Sequence, residues 1–84
     1  MGKVQSIIAE RIVALCKERN LKPYGLATES GVPLSTICHL LDGTTKNPGI
    51  LTIAKVCNGL EITLEEFFAT ADFQELLVMV SEEE

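Results

Sequence analysis

Apolar residues recur at three- and four-residue spacing along most of the chain, which is the spacing of one face of an α-helix. The breaks between these runs are short and contain Gly, Pro, Asn or Asp, and no alternating pattern typical of a strand competes with them. The sequence therefore predicts an all-α fold. The first run predicts a helix of about four turns ending near Asn20, and its members are Val4, Ile8, Ile12, Leu15 and Cys16.

Proline and glycine mark the ends of the next two helices. Pro23 at a first-turn position and Gly31 at a C-terminal position frame a short second helix. Pro33 opens a third helix in the same way, and Asp42 and Gly43 end it. Two short helices joined by a tight, glycine-containing turn form the helix-turn-helix pattern, which small bundles without a nucleic-acid role also show. The inward residues predicted for the third helix are Ile37, Leu40 and Leu41.

Three further helices are predicted after a polar connector at residues 44–49. Thr63 and Glu66 form a capping box that starts the fifth helix, and Asp72 with Glu75 is a similar pair at the start of the sixth. Residues 1–69 are expected to form a compact five-helix domain, and residues 70–84 a C-terminal amphipathic helix with an acidic tail in the same unit. The apolar residues of these helices are Ile50, Ile53, Ala54 and Cys57 in the fourth, Leu64, Phe67 and Phe68 in the fifth, and Phe73, Leu76, Leu77 and Val80 in the sixth.

The net charge of −5 is divided unevenly along the chain. Residues 1–60 contain seven basic and four acidic side chains, whereas residues 61–84 contain eight acidic side chains and no basic one. A mildly basic body remains compatible with a nucleic-acid partner, which the total charge alone would argue against.

Length and hydropathy exclude several classes of function. A chain of 84 residues has room for one domain, and its core is too small to enclose a deep substrate cavity. No apolar run is longer than five residues, the length of Leu76 to Val80, whereas a membrane-spanning helix needs about 20. With no apolar stretch typical of a secretory signal, we expect a cytoplasmic protein that acts through its surface.

The cysteines and the single histidine give no sign of a metal site or of catalysis. Cys16, Cys38 and Cys57 include no C-x-x-C pair, so neither a disulfide framework nor a zinc site is indicated. Cys57 lies on an apolar helical stripe and Cys16 beside one, so these two are expected to be reduced, buried thiols. His39 has no second histidine and no acidic residue at the spacing of a zinc-binding motif. We therefore expect no enzymatic activity, no metal and no cofactor.

The segment Leu26 to Ile37, which reads LATESGVPLSTI, resembles the Cro/repressor-type (XRE-like) helix-turn-helix family. Members of that family read L-A-x-x-x-G-V-x-x-S-x-I, followed by a short stretch that ends in glycine, here Gly43. The resemblance covers about residues 8–68 and is closest to short, single-domain bacterial regulators. It continues through Lys46-Asn47-Pro48, Thr52 to Cys57, Leu60-Glu61-Ile62 and Glu66-Phe67-Phe68.

This resemblance implies a sequence-specific transcriptional regulator, with repression favoured, whose third helix enters the DNA major groove. The implied base-reading residues are Leu34, Ser35, Cys38 and His39, on a surface that also includes Pro33. The implied phosphate contacts are Lys22, Thr36, Lys46 and Asn47. Simpler alternatives remain open at this point: Ser35 and Thr36 can cap their own helix, and the lysines and His39 can be solvated surface residues.

The sequence departs from the family pattern on the third helix, which has no Arg, Lys, Gln or Asn. Part of the specificity is therefore expected to come from DNA shape. Pro23 also replaces the glutamine that relatives often carry at the opening of the second helix, so one phosphate contact is expected to be lost.

The last helix offers a second kind of surface. Relatives usually bind DNA as symmetric dimers, and the stripe Phe73, Leu76, Leu77 and Val80 is therefore expected to join two copies. The stripe can instead pack within its own chain. A different class of function is a protein-interaction module, such as an antitoxin-like protein, that binds a partner through its last two helices.

Overall fold

The computed structural model describes residues 3–45 and 48–82, and these residues form six helices without a strand. The predicted all-α fold is confirmed. Lys46 and Asn47, two of the predicted phosphate contacts, lie outside the described residues. The helices are α1 (Lys3–Arg19), α2 (Pro23–Ser30), α3 (Leu34–Leu41), α4 (Ile50–Leu60), α5 (Leu64–Phe67) and α6 (Ala71–Glu82).

One hydrophobic core lies between the first five helices, and Phe73 and Leu76 of α6 also pack into it. Helices α2 and α4 pack most extensively against each other, and α1 covers both α3 and α4. Phe67 of α5 closes one end of this core, and its ring contacts the rings of Phe68 and Phe73 at centroid distances of 4.9 and 5.8 Å. The side chains with less than 2% exposure are Ile12, Leu26, Ile37, Val56, Leu60 and Phe67.

The predicted helix ends are largely confirmed. Gly31 follows α2 with φ of 73°, a left-handed conformation that glycine adopts without steric cost. Asn20 follows α1 with φ of 59°. The capping box of α5 is present, because the Glu66 amide donates to Thr63 Oγ1 at 3.0 Å and the Thr63 amide donates to Glu66 Oε1 at 3.3 Å.

Helix α6 begins earlier than the predicted Asp72–Glu75 pair implies. It starts at Ala71, so Asp72 lies inside the first turn rather than before it. The reason is visible in the backbone, where the Phe73 amide donates to the Thr70 carbonyl at 3.1 Å and begins the helical turn there.

Three close contacts between distant elements were not predicted. The ends of α2 and α4 approach so closely that a Cβ added to Gly59 would lie 2.9 Å from the Cα of Ser30. Arg11 of α1 donates to the carbonyls of Glu66 and Phe67, both at 2.8 Å, and Arg19 donates to the carbonyl of Leu60 at 2.7 Å. These guanidinium groups satisfy carbonyls at the C-terminal ends of α5 and α4, which favour positive charge.

Candidate nucleic-acid interface

The turn between α2 and α3 is closed by hydrogen bonds within the chain. The Ser30 hydroxyl donates to the Leu26 carbonyl at 2.7 Å and accepts from the Val32 amide at 3.3 Å. The Gly31 amide donates to the Ala27 carbonyl at 2.9 Å. Ser30 is buried against Gly59 of α4. The turn is therefore fixed both by its own hydrogen bonds and by packing on α4, and it orients α3 relative to α2.

Helix α3 has one face in the core and one face in solvent. Ile37 and Leu40 are 0% and 3% exposed, which confirms their predicted inward position, and Leu41 is half-buried against the core. The four predicted base-reading residues are all exposed to solvent: Leu34, Ser35, Cys38 and His39. Their exposure makes this surface available to a partner, while their roles stay a prediction.

The start of α3 presents free backbone donors. Pro33 occupies the N-cap position, and no side chain caps the helix there, so the alternative in which Ser35 or Thr36 caps α3 finds no support. The first helical hydrogen bond runs from the Ile37 amide to the Pro33 carbonyl at 3.0 Å. The preceding amides have no partner within the helix, and such amides attract phosphate oxygens.

Two of the predicted phosphate contacts, Lys22 and Thr36, lie among the described residues. Lys22 is exposed at the N-cap position of α2, with extended backbone and no side-chain cap. Thr36 is half-buried on the side of α3. Pro23 is exposed at the first position of α2 and has no amide to donate, and the loss of a phosphate contact there stays a prediction.

Beyond α3 the chain folds back on the helix end. The amides of Thr44 and Thr45 donate to the His39 carbonyl at 3.0 and 3.3 Å. The hydroxyl and the amide of Thr44 also donate to the Asp42 carboxylate, the amide at 2.8 Å. These two bonds lower the pKa of Asp42, and the bond from the hydroxyl has the larger effect. The nearby His39 lowers this pKa further. Asp42 is therefore an anion at neutral pH.

The basic residues of the body are not equally available to DNA. Arg11 and Arg19 donate to backbone carbonyls of α5 and α4 and are thus committed to holding helices together. Lys17, Lys22 and Lys55 are exposed. The positive charge that a phosphate backbone can use is consequently smaller than the composition of residues 1–60 indicates.

The apolar stripe of α6 divides into two parts. Phe73 is 7% exposed and stacks edge-on against Phe68 at 4.8 Å, while Leu76 packs against the core. Leu77 and Val80 are 71% and 55% exposed, and Val78, which the periodicity did not select, is 56% exposed. The prediction grouped all four stripe residues in one dimer surface, but Phe73 and Leu76 are engaged in their own core.

Two of the three thiols are buried in the core. Cys16 and Cys57 are buried as expected, whereas Cys38 is exposed on α3. Burial raises the pKa of both buried thiols, an effect that Arg19 and Arg11 respectively oppose. Among the described residues, no group of three His, Cys, Asp or Glu side chains is placed to hold a metal ion, and no helix is long and apolar enough to cross a membrane.

Comparison with known proteins agrees with this geometry. The family model of the Cro/C1-type HTH DNA-binding domain matches residues 11–72, which include all of α2 to α5 and the second half of α1. The chain belongs to the Cro/C1-type helix-turn-helix family. The resemblance seen in the sequence is thereby confirmed, and the match places α2 and α3 within the DNA-binding domain.

A solved structure shows the same arrangement of this Cro/C1-type domain. It is the crystal structure of an HTH_3 family transcriptional regulator from Vibrio cholerae, which is 31% identical and superposes with a TM-score of 0.77. The alignment covers 90% of this chain and 42% of the Vibrio cholerae chain, so our chain spans less than half of that regulator. No curated protein matches the sequence.

Proposed function

We propose that this Cro/C1-type chain is a transcriptional regulator, with repression favoured, that binds a pseudo-palindromic DNA site as a homodimer. The observation that carries the proposal is α3: Ile37 and Leu40 hold it to the core while Leu34, Ser35, Cys38 and His39 face solvent. A helix presented in this way fits the major groove, with its first turns toward the bases. The proposed action requires no catalysis and no cofactor, and it belongs in the cytoplasm.

In this proposal the backbone of the DNA is contacted on both sides of α3. Lys22 before α2 and the free amides at the start of α3 contact phosphates, together with Thr36, Lys46 and Asn47. These contacts add affinity for every sequence, whereas Ser35 and His39 contact base edges and add specificity.

The decisive experiment is selection of bound duplexes from a random pool, followed by affinity measurements over a range of salt concentrations. An enriched sequence and a steep loss of affinity with salt are expected. Lys22→Ala should reduce the slope of log affinity against log salt by about one and leave the sequence preference unchanged. Lys55→Ala is the matched control, because it removes an exposed lysine from the middle of α4. No association at low salt would contradict DNA binding.

Within the selected site, Ser35→Ala and His39→Ala should each change the preference at one base pair per half-site. Each substitution should cost on the order of 1 kcal/mol there. Unchanged preferences in both variants would remove the two residues from the base-reading surface.

The homodimer is proposed to form through the exposed face of α6. A large aliphatic side chain left in water forgoes roughly 1.5 to 3 kcal/mol of burial, and Leu77, Val78 and Val80 are three such residues on one short helix. Pairing about a two-fold axis would place two α3 helices about 34 Å apart, in successive major grooves. Because each copy carries eight acidic residues in 61–84, this association should strengthen as salt screens them.

Sedimentation of the intact chain and of a Leu77→Glu, Val80→Glu variant tests the dimer. The intact chain should be a dimer at tens of micromolar and the variant a monomer with the same helix content. A monomeric intact chain, or a variant that still dimerises, contradicts α6 pairing.

A second function is favoured by the same exposed face. Leu77, Val78 and Val80 beside an acidic segment would also suit a protein partner, as in an antitoxin-like module. Failure of the selection experiment, combined with a monomeric chain, would favour this alternative over the regulator.

A further inference from the structure

The exposed face of α3 consists of two rows of different chemistry. Residues four apart on a helix lie on one face, so Leu34 and Cys38 form one row and Ser35 and His39 form the other. The first row is apolar and the second polar, and both are solvent-exposed. Ile37 and Leu40 point to the opposite side, so the two rows together are what α3 presents to a partner.

The polar row can read only part of a base pair. Guanine is read best by the paired donors of Arg or Lys, and adenine by the paired groups of Asn or Gln, and α3 contains none of these. Ser35 and His39 offer single hydrogen bonds, which discriminate less. A large share of any specificity must then come from the apolar row or from DNA shape.

The major groove has one apolar feature that an aliphatic side chain can contact, the C5-methyl group of thymine. Cytosine carries the same methyl at the same ring position when it is 5-methylated. Leu34 is the first residue of α3, at the end of the helix that approaches the bases, and 43% of its surface is exposed and free to be covered.

On the basis of the proposed DNA binding, we infer that the Leu34–Cys38 row contacts the C5-methyl groups of pyrimidines in the major groove. The preferred half-site then contains a thymine at the position facing Leu34, and a 5-methylcytosine there is accepted in the place of thymine. Binding to a site with cytosine at that position is therefore strengthened by methylation of that cytosine.

The test removes single methyl groups from the DNA and leaves the protein intact. In the duplex enriched by selection, each thymine is replaced in turn by uracil, which keeps every hydrogen-bonding group and lacks only the methyl. At one thymine per half-site the affinity should fall about three- to fivefold, which corresponds to the burial of one methyl-sized group. Replacement at the other thymines should change it less than twofold.

Leu34→Ala assigns the methyl contact to its residue. In this variant, thymine and uracil duplexes should bind equally well at the position that distinguishes them in the intact chain. Leu51→Ala is the matched control, because it shortens an exposed leucine of α4 and should leave the thymine-to-uracil ratio unchanged. Thermal unfolding of both variants checks that each is folded.

A second pair of duplexes tests the methyl independently of thymine. Cytosine and then 5-methylcytosine are placed at the sensitive position, each paired with guanine. The methylated duplex should bind about three- to fivefold more tightly than the unmethylated one, and only when Leu34 is present.

Several results would overturn the inference and leave DNA binding standing. They are an enriched site without thymine, affinities that do not change with uracil at any position, or a uracil effect that persists undiminished in Leu34→Ala. A pool that yields no enriched sequence at all contradicts the proposed function itself, and the inference falls with it.

Discussion

The helix-turn-helix unit, residues 23–41, and α6 both carry apolar residues at helical spacing, yet they differ in how much of that surface is covered. Leu26 of α2 and Ile37 of α3 are completely buried, because α1 and α4 pack against the unit. In α6, Phe73 is buried but Leu77 and Val80 are more than half exposed. Helical periodicity thus identifies an apolar face, but the neighbouring elements decide what covers it.

The difference has a consequence for function. The unit packs against α1 and α4, and the outward face of α3 shows solvent small and polar side chains with Leu34 at its start, as suits a surface that must fit a groove. Helix α6 is attached by its first turns and shows solvent three aliphatic residues, as suits a surface that finds an apolar partner. The two surfaces are therefore suited to different partners.

The largest expected effect comes from breaking the attachment of α6. Phe73→Ala should lower the free energy of unfolding by about 3 kcal/mol, because it removes a buried ring that stacks on Phe67 and Phe68. Leu77→Ala, the matched exposed residue, should change it by less than about 0.5 kcal/mol. Urea unfolding at low micromolar concentration, where self-association contributes least, measures both. Equal effects of the two substitutions would show that α6 is covered along its whole length.

The next effect concerns the arginine that ties the α5 end to α1. Arg11→Met should cost about 2 kcal/mol, because it leaves the carbonyls of Glu66 and Phe67 without their charged donor while keeping an apolar stem. Lys17→Met on the same helix is the control and should be nearly neutral, since Lys17 is exposed. Urea unfolding again gives the comparison, and a neutral Arg11→Met would mean that α5 is held by apolar packing alone.

A smaller effect is expected where α4 meets the helix-turn-helix unit. Alanine is the better helix former by about 1 kcal/mol, but its Cβ at Gly59 would lie 2.9 Å from backbone atoms of Ser30, which cannot move aside cheaply. Overpacking of this kind costs about 1 to 3 kcal/mol, so Gly59→Ala should be destabilising by about 1 kcal/mol net. Gly49→Ala is the control, because nothing lies within 4 Å of its added Cβ. A stabilised Gly59→Ala variant would contradict the close packing of α2 against α4.

Much of this arrangement could be predicted from local sequence. Pro23, Gly31 and the capping box of Thr63 and Glu66 act through neighbouring backbone, so their signals are readable without knowledge of the fold. The inward position of Ile37, and with it the outward face of α3, follows from spacing alone. The family match then confirms the DNA-binding domain that the motif indicated.

The contacts that could not be predicted join residues far apart in the sequence. Arg11 and the carbonyl of Phe67 are 56 residues apart in the sequence. The residues next to Arg11 do not show whether its side chain binds a carbonyl of the same chain or is free to contact DNA. From sequence alone, Gly59 is only a residue that weakens its helix. The structure shows that Ser30 lies too close to Gly59 for a Cβ to fit there. The division of the α6 stripe likewise depends on which distant residues pack against α6, and no periodicity within α6 encodes that.

The smallest effect concerns the exit from the helix-turn-helix unit, at Asp42. Two hydrogen bonds from Thr44 hold the pKa of this carboxyl below its ordinary value, and the bond from the hydroxyl contributes more than the bond from the amide. A depressed pKa means that the carboxylate form favours the folded state. Its small contribution is present above the ordinary pKa and is lost as the pH falls through the depressed one. Since Asp42 is fully exposed, the effect is visible in titration rather than in overall stability.

Titration of the Asp42 carboxyl by NMR measures this directly. Thr44→Val removes the hydroxyl and keeps the amide, so the pKa of Asp42 should rise toward its ordinary value without reaching it, because the amide bond at 2.8 Å remains. Thr45→Val is the matched control and should leave the titration of Asp42 unchanged, since the contact of Thr45 is a backbone bond to the His39 carbonyl. If Thr44→Val leaves the midpoint where it was, the hydroxyl contributes nothing, and of the two Thr44 donors only the amide acts on the carboxylate.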